Sequence, residues 1–478
     1  MMGVLGVVLA FAAGVAAQGA TGSPAPAPAS SPAAVGAAPA PAPAAATTTA
    51  PPKVDTGDTA WMLTSAALVL LMTPGLAFFY GGLVRRKNAL ATIMQSFIII
   101  GLITVQWVLW GYSLAFGPDI GGGLLGGLSW IGLNGVGLDP NADYAPTIPH
   151  QAFMIFQMMF AVITPALITG AFAERMRFKA FVFFTLLWST LVYAPIAHWV
   201  WSCTGIDGAV SVAGCAGTPG FLRALGALDF AGGTVVHISS GVSALVAAIV
   251  LGKRLGFGEE PLEPHDGTMV VLGASLLWFG WFGFNAGSAL GAGALATNAF
   301  VVTHVATAMA AITWMTVSWA HKGSPSVLGA AAGAVAGLVA ITPASGYVTA
   351  MGAIIIGLGA GVFCYWAVIG IKHSLGVDDA LDVFGVHGVG GTWGALATGL
   401  FATLAVNSAG GDGLFYGNPG QFVSQLIAVA VSWVWSGGIT FVLLKLIDAT
   451  IGLRVDAHEE LAGLDASVHG EAAYAVEI

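Results

Sequence analysis

The chain has 478 residues, of which 57% are hydrophobic and only 8% are charged. Water-soluble domains carry about 25% charged residues, so this chain has too little charge to cover a soluble surface, and a water-soluble globular enzyme is excluded. The formal net charge of −9 also excludes the basic footprint of a nucleic-acid-binding protein.

The first 57 residues differ in composition from the rest of the chain. Residues 1–17 hold a short apolar run that ends in small residues, which is typical of a secretory signal peptide. The basic residues that usually precede such a run are absent, so a cleaved signal and a retained anchor both stay open. Residues 18–57 are rich in proline and alanine, and we expect a disordered extension without chemistry of its own.

Long apolar runs separated by short polar breaks follow as far as residue 447. In lipid, such runs are expected to be α-helices, because a helix satisfies its backbone hydrogen bonds internally and a membrane strand is about half as long. The sequence therefore predicts an all-α integral membrane domain, residues 58–447, with eleven transmembrane helices. The predicted spans are residues 59–83, 89–117, 150–173, 178–201, 227–252, 268–290, 295–320, 325–342, 348–371, 383–405 and 421–447.

The basic residues indicate the orientation of these spans. Twelve of the 14 lysines and arginines follow an odd-numbered span, and only Lys53 and Arg223 lie on the other side. By the positive-inside rule, the twelve face the cytoplasm. We therefore predict a multi-pass protein of the cytoplasmic (inner) membrane, with its N-terminus outside and an acidic tail, residues 448–478, inside.

Eleven spans divide into two five-helix halves and a final helix. Because five is odd, a repeated five-span unit must be inverted relative to its twin, and inverted repeats are an architecture of transporters, with a binding site near the interface of the halves. Asp229 precedes His237 by eight residues in the fifth span, and Asp382 precedes His387 by five residues at the tenth. These two pairs suggest the same internal repeat.

The three cysteines are too few for a disulfide framework. Cys203 and Cys215 share the predicted outer loop between the fourth and fifth spans, where a single disulfide stays an open prediction. Cys364 lies within the ninth span and is expected to pack there.

Ionisable residues inside a membrane span are costly and therefore point to function. The candidates are His198, Asp229, His237, His304 and His387. Asp229 lies at the outer end of its span, where it either caps the helix or makes the entrance attractive to cations. His237 is about 12 Å deeper at the helical rise per residue, whereas His387 is only about 7 Å from the inner edge. Depth alone does not bring the two histidines together, but their analogous positions in the two halves favour a contact.

Aromatic side chains also share single helix faces. Trp281, Phe284 and Ser288 are spaced i, i+3 and i+7, and Phe156 and Phe160 are spaced i and i+4. Each of them alone is explained by lipid contact or by an aromatic belt at the membrane surface. Together with the aromatic residues that end the fourth span, they could instead form a cup that attracts a cation, which is worth about 0.5–2 kcal/mol.

Several of these segments resemble the ammonium transporter family, which includes methylammonium permeases and has the Rhesus glycoproteins as distant relatives. The matching segments are residues 171–178, 195–201, 229–241, 281–288, 382–388 and 452–471, and the resemblance extends over residues 58–475. The resemblance implies a bacterial ammonium transporter, not an enzyme, that assembles as a homotrimer with a separate pore in each protomer.

The resemblance also implies roles for individual residues. Those that would recruit ammonium at an outer site are Phe160, Trp201, Phe284 and Ser288. Those that would gate and line an apolar pore are Phe160, Phe284, Trp281, His237 and His387. Asp229 would be the structural acid that supports recruitment. Ammonium would lose a proton here and cross as NH₃ with net proton transfer, and methylammonium is implied as a further substrate. Neither a cofactor nor a metal is implied.

Residues 448–478 form either a solvated terminus or, as the resemblance implies, an ordered regulatory tail that a PII-class nitrogen-regulatory signalling protein contacts. Three alternative functions stay open. The chain could be a membrane haem oxidoreductase whose axial ligands are among the four intramembrane histidines. It could be an ammonium sensor with little flux, although the tail carries no signalling domain, or a channel for a neutral gas.

Overall fold

The computed structural model describes residues 53–204 and 217–474. The predicted signal peptide and all but the end of the proline- and alanine-rich extension lie outside the described residues. Where the extension is described, the backbone N–H groups of Lys53 and Asp55 donate to the carbonyl oxygens of Pro146 and Thr147. The end of the extension is therefore hydrogen-bonded to the folded domain.

Helices make up most of the described chain. The main ones are α1 (Thr56–Leu83), α2 (Arg86–Phe116), α3 (His150–Phe172), α4 (Phe178–Trp201), α5 (Gly233–Leu251), α6 (Gly267–Gly287), α7 (Ala294–Lys322), α8 (Val327–Ile341), α9 (Ala350–His373), α10 (Phe384–Gly388 continuing as Val389–Phe401), α11 (Pro419–Ile451) and, in the tail, α12 (Ala457–Ala462). Short helical turns lie at Ile131–Leu133, Phe221–Ala224, Leu414–Tyr416 and Asp465–His469.

Within the described residues, nine of these helices are long and apolar enough to cross a membrane. Of the remaining two in the predicted spans, α8 is apolar but has only 15 residues, and α10 is rich in glycine, which lowers its hydropathy. The prediction of an all-helical membrane protein is confirmed. Helix α3 is buried along nearly its whole length and forms the centre of the packed core.

The largest difference from the predicted spans is at the start of α5. The apolar run begins at residue 227, but the helix begins only at Gly233, because Gly232 adopts a left-handed backbone conformation with a φ of 116°. Glycine accepts this conformation readily, whereas residues with a Cβ atom do not. Residues 227–232 are therefore not helical, and they hold Asp229 just before the first turn of α5.

Two short antiparallel strand pairs lie in the loops, β1 (Pro140–Asn141) with β2 (Ala145–Pro149) and β3 (Cys203–Thr204) with β4 (Thr218–Pro219). Cys203 is disulfide-bonded, and its predicted partner, Cys215, lies outside the described residues. Cys364 is a free, buried thiol in α9, in agreement with the expectation that it packs within its helix.

Buried ion pairs join the helices at the end of the bundle that carries the C-terminal tail, which we call the tail face. The guanidinium group of Arg254 donates to both carboxylate oxygens of Asp378, at 2.8 and 2.9 Å, and Arg85 donates to Glu174 at 2.7 Å. Burial alone would raise the pKa of the Asp378 carboxyl, but the hydrogen bonds from Arg254 and the charge of Arg175 hold it below its usual range. These pairs fix the ends of α1, α3 and α5 beside the segment that leads into α10.

The tail itself is ordered against this face. The carboxylate of Asp465 accepts the backbone N–H groups of Leu90 and Ala91, at 3.1 and 2.8 Å, in the first turns of α2. The backbone N–H of Leu464 donates to the side chain of Asn88 at 2.8 Å. The tail is therefore not a solvated terminus over the described residues.

Candidate functional site

Asp229 organises the start of α5. Its Oδ1 accepts the backbone N–H groups of Gly232 and Gly233, at 2.7 and 2.6 Å. Its Oδ2 accepts the backbone N–H of Thr234 at 2.7 Å and also its hydroxyl group. The side chain thus satisfies N–H groups that have no partner within the helix, as a capping residue does. The backbone oxygen of Asp229 in turn accepts the indole N–H of Trp201 at 2.9 Å, so this residue also fixes the position of the tryptophan ring.

The aromatic residues named from the sequence lie together beside Asp229. The rings of Phe160 and Phe284 are 4.2 Å apart between centroids and inclined by 33°. Trp201 meets Phe160 edge-on at 5.9 Å. The hydroxyl of Ser288 donates to the backbone oxygen of Phe284 at 2.8 Å. A cavity of about 150 Å³ lies on one side of the phenylalanine pair and has Phe160, Trp201 and Ser288 in its wall.

The two predicted pore histidines are in contact on the other side of this pair. Nδ1 of His237 and Nδ1 of His387 are 3.2 Å apart, and both rings are buried. Because a neutral imidazole donates from one nitrogen and accepts at the other, one ring donates through Nδ1 and the other accepts. His237 also stacks on Trp281, with 5.3 Å between ring centroids.

Apolar side chains enclose the histidine pair. A cavity of about 10 Å³ touches both rings, which is about the space that one water-sized molecule needs. Apart from the histidines, its wall consists of Met72, Leu76, Phe79, Ile163, Leu167, Val236, Leu277, Trp281, Phe284 and Val335. A larger cavity of about 390 Å³ begins at His387 and is also lined by Lys322 at the end of α7. Three cavities therefore follow one another through the bundle, with the phenylalanine pair and the histidine pair between them.

Each histidine segment begins at a capping acid, but the second acid is not the one that the sequence pattern suggested. Oδ2 of Asp379 accepts the backbone N–H of Phe384 at 2.7 Å, at the start of the segment that carries His387. Asp379 precedes His387 by eight residues, which is the spacing between Asp229 and His237. The prediction that Asp382 corresponds to Asp229 is therefore wrong, because Asp379 has the matching spacing and the capping hydrogen bond. The equal spacing of eight was the available signal for the correct acid.

Glycines allow the two segments to cross closely. Gly241 and Gly391 each follow a pore histidine by four residues. A Cβ atom on Gly241 would lie 2.1 Å from the backbone nitrogen of Gly388, and one on Gly391 would lie 2.9 Å from Cβ of His237. Each segment thus packs its glycine on the other segment, and this reciprocal contact brings the two rings together.

The other two intramembrane histidines lie elsewhere. His198 makes hydrogen bonds to the backbone oxygen of Ala115 and to the carboxylate of Asp119, at 3.0 and 3.1 Å. His304 lies beside the ring of Trp278, with 5.4 Å between centroids. The pair that is in contact, His237 and His387, has its Nδ1 atoms 3.2 Å apart, whereas the two axial nitrogens on opposite sides of a haem iron lie about 4 Å apart, at about 2 Å per metal–nitrogen bond. This geometry argues against the haem alternative.

A helical membrane domain crossed by a series of cavities is the architecture of a membrane transporter. Residues 60–474 match the sequence profile of the Ammonium Transporter Family, and the chain belongs to this family. The family resemblance predicted from the sequence is thereby confirmed, and the class is one of transporters rather than enzymes.

Similar proteins are found among bacteria, archaea and fungi. The ammonium transporter of Bacillus subtilis is 53% identical over 418 residues, which cover 87% of this chain and 98% of that protein. Ammonium transporter Amt1 of Archaeoglobus fulgidus is 49% identical, with 87% and 99% covered. The crystal structure of Saccharomyces cerevisiae Mep2 has a TM-score of 0.77 at 36% identity, with 85% and 89% covered. A structure described as a sensor Amt protein has a TM-score of 0.77 at 29% identity, with 86% and 98% covered.

Proposed function

We propose that this protein transports ammonium: it recruits NH₄⁺ at an outer aromatic site, deprotonates it, and conducts NH₃ with net proton transfer through an apolar pore lined by two histidines. The observation that carries the proposal is the contact between His237 and His387 in a narrow apolar cavity behind the phenylalanine pair. The names of the relatives support ammonium as the substrate.

The recruitment step is assigned to the cavity beside Trp201. A cation above an aromatic face is stabilised by about 0.5–2 kcal/mol, most where water is excluded, and the rings of Trp201 and Phe160 provide such faces. Because the hydroxyl hydrogen of Ser288 is donated to the backbone, the lone pairs of its oxygen are free to accept an N–H group of ammonium. Asp229 acts indirectly, since it holds Trp201 in place.

Selectivity against potassium follows from deprotonation. Ammonium and potassium ions are similar in size, so a sieve does not separate them. An apolar constriction excludes both, because an unpaired ion in such a medium is very costly. Ammonium alone can release a proton and enter the 10 Å³ cavity as a neutral molecule. The hydrogen-bonded imidazoles can accept NH₃ as a partner and relay the proton, since each ring can both donate and accept.

We further propose the finer topology and organisation. Helices α8 and α10 complete eleven crossings in two inverted halves plus α11, with the N-terminus outside the cytoplasmic membrane, the tail face inside and three protomers in the assembly. The buried arginines of the tail face and the equal spacing of the acid and histidine pairs support this arrangement. Residues 1–17 are assigned to a signal peptide, 18–57 to the extension, 58–447 to the transporter domain and 448–478 to a regulatory tail.

Transport in proteoliposomes tests the function, with membrane current and internal pH recorded together. For the full chain, we expect an inward ammonium or methylammonium gradient to give a current, and a potassium gradient to give none. A pH change without current would replace the proposal by a neutral gas channel. Neither signal above that of protein-free vesicles would contradict transport and favour the sensor alternative.

A PII-class signalling protein is proposed to bind the tail face. The tail lies next to the large cavity, because the hydroxyl of Tyr474 is 2.9 Å from His265 and the neighbouring residue Pro264 lines that cavity. Adding such a protein to the proteoliposomes is expected to reduce the ammonium current. A variant that ends after Gly452 is expected to be insensitive to it. Equal inhibition of both chains would contradict a role of the tail.

A further inference from the structure

One buried polar side chain in the wall of the 150 Å³ cavity, Gln157, has no role in the recruitment site as described so far. Gln157 lies on α3, where Phe153, Gln157 and Phe160 share one face at spacings of four and three residues, and all three line the cavity. Gln157 is only 8% exposed. Its Oε1 atom has no hydrogen-bond partner among the described residues. Buried polar groups nearly always have a partner, so a group without one in a cavity wall calls for an explanation.

The polar groups around Gln157 are already occupied. The indole N–H of Trp201 donates to Asp229, and the hydroxyl of Tyr144 donates to the backbone oxygen of Phe116 at 2.7 Å. Asp143 and Arg223, which also line the cavity, carry opposite charges. With one charged side chain of each sign in its wall, the cavity has no net negative charge, and ring faces and neutral dipoles are the groups that it offers to a cation.

We propose that Gln157 is a further substrate-binding residue of the recruitment site, whose side-chain carbonyl oxygen accepts one N–H group of the bound ammonium ion. The inference rests on the proposed transport function and deepens it. Ammonium has four N–H donors and no lone pair, and each donor loses a water oxygen when the ion enters the cavity. The oxygen of Ser288 can replace one of these water molecules, and the amide oxygen of Gln157 replaces a second.

The amide is well suited to this task for two reasons. No bond to Oε1 from a described residue has to be broken before the ion binds. The terminal amide can also turn by 180° about its last bond, so that its oxygen faces a cation while its NH₂ group turns away.

A potassium ion requires several oxygen ligands around it, and one amide oxygen with one hydroxyl does not supply them. The directional N–H donors of ammonium make better use of the same two acceptors.

The test compares ammonium currents of the full chain in proteoliposomes as a function of ammonium concentration. Gln157→Met keeps the length of the side chain but removes the acceptor. It is expected to raise the apparent KM about tenfold, the effect of losing a hydrogen bond to a charged group, with the maximal current changed by less than about twofold. Gln157→Glu restores a stronger acceptor and is expected to lower the KM below that of the unchanged chain.

Gln151→Met is the matched control. Gln151 is on the same helix, but its side chain is exposed and donates to the backbone oxygen of Val136 at 3.1 Å. Its replacement is expected to leave the KM unchanged.

The inference is overturned if Gln157→Met leaves the KM unchanged, or if both variants of Gln157 raise it, since the side chain would then act through its shape. Should the methionine variant fail to fold, Gln157→Glu decides alone, and an unchanged or raised KM overturns the inference. The current of the unchanged chain distinguishes a failure of the proposed transport function from a failure of the inference about Gln157. If it carries no ammonium current, the proposed function fails, whereas a normal current without the expected shifts refutes only the role of Gln157.

Discussion

Replacing both pore histidines by alanine, His237→Ala with His387→Ala, is expected to reduce the selectivity for ammonium over potassium about a hundredfold, which corresponds to about 3 kcal/mol. The two rings form much of the wall of the 10 Å³ cavity. Without them, the cavity is large enough for several water molecules, and an ion crosses with part of its hydration instead of being stripped of it. Currents in proteoliposomes under opposed ammonium and potassium gradients measure the ratio.

His304→Ala provides the control for this experiment. His304 is another histidine in a predicted span, but it contacts Trp278 and Phe282 rather than the pore pair. Its replacement is expected to leave the selectivity unchanged. If the double variant kept full selectivity, deprotonation at the histidine pair would not be the basis of discrimination, and the mechanism would fail.

Asp229→Ala is expected to abolish transport and to reduce the free energy of unfolding by about 4 kcal/mol or more. The replacement leaves at least four donors of Gly232, Gly233 and Thr234 without their acceptor, and each buried donor without a partner costs about 1–3 kcal/mol. The start of α5 is then free to shift, and Trp201 and His237 shift with it. Thermal melting of the purified protein and the ammonium current measure the two effects.

Asp55→Ala is the matched control, because Asp55 also caps a helix. Its carboxylate accepts the backbone N–H of Asp58 at 2.9 Å, but at an exposed position at the start of α1. Loss of such a cap costs about 1 kcal/mol, and transport is expected to continue. If both variants melted at the same temperature and carried equal current, Asp229 would be an ordinary cap without influence on the pore.

The sequence predicts the helices well because the membrane imposes a simple condition on them. An apolar run has to be helical to satisfy its backbone, so hydropathy alone locates the spans. The same reasoning misplaced the start of α5, since the residues from Ala227 to Gly232 are mostly apolar but not helical. Hydropathy indicates that a segment is apolar, but it does not reveal the backbone conformation of Gly232, after which the helix begins.

The contact between His237 and His387 depends on packing that periodicity does not describe. A depth estimated from the rise per residue placed the two rings at different levels. In the structure, the crossing at Gly241 and Gly388 brings their backbones together, and this contact is invisible in either segment alone. The analogous positions of the two histidines in the two halves favoured a contact, and the resemblance to a family indicated that they share a pore. The sequence comparison paired Asp382 with Asp229 and passed over Asp379, whose spacing to the histidine is the same as that of Asp229, and the hydrogen bond to Phe384 identifies Asp379 as the acid that caps the segment.

The hydrogen bonds to the carboxylate of Asp465 determine how late in synthesis the second helix can complete its contacts. No side chain near the start of α2 caps that helix, and its free N–H groups are bound by a residue that is synthesised 375 positions after Leu90. A ribosome has therefore released almost the entire polypeptide before the second helix acquires its final neighbour. Chains that stop before Asp465 therefore leave the N–H groups of Leu90 and Ala91 without this acceptor.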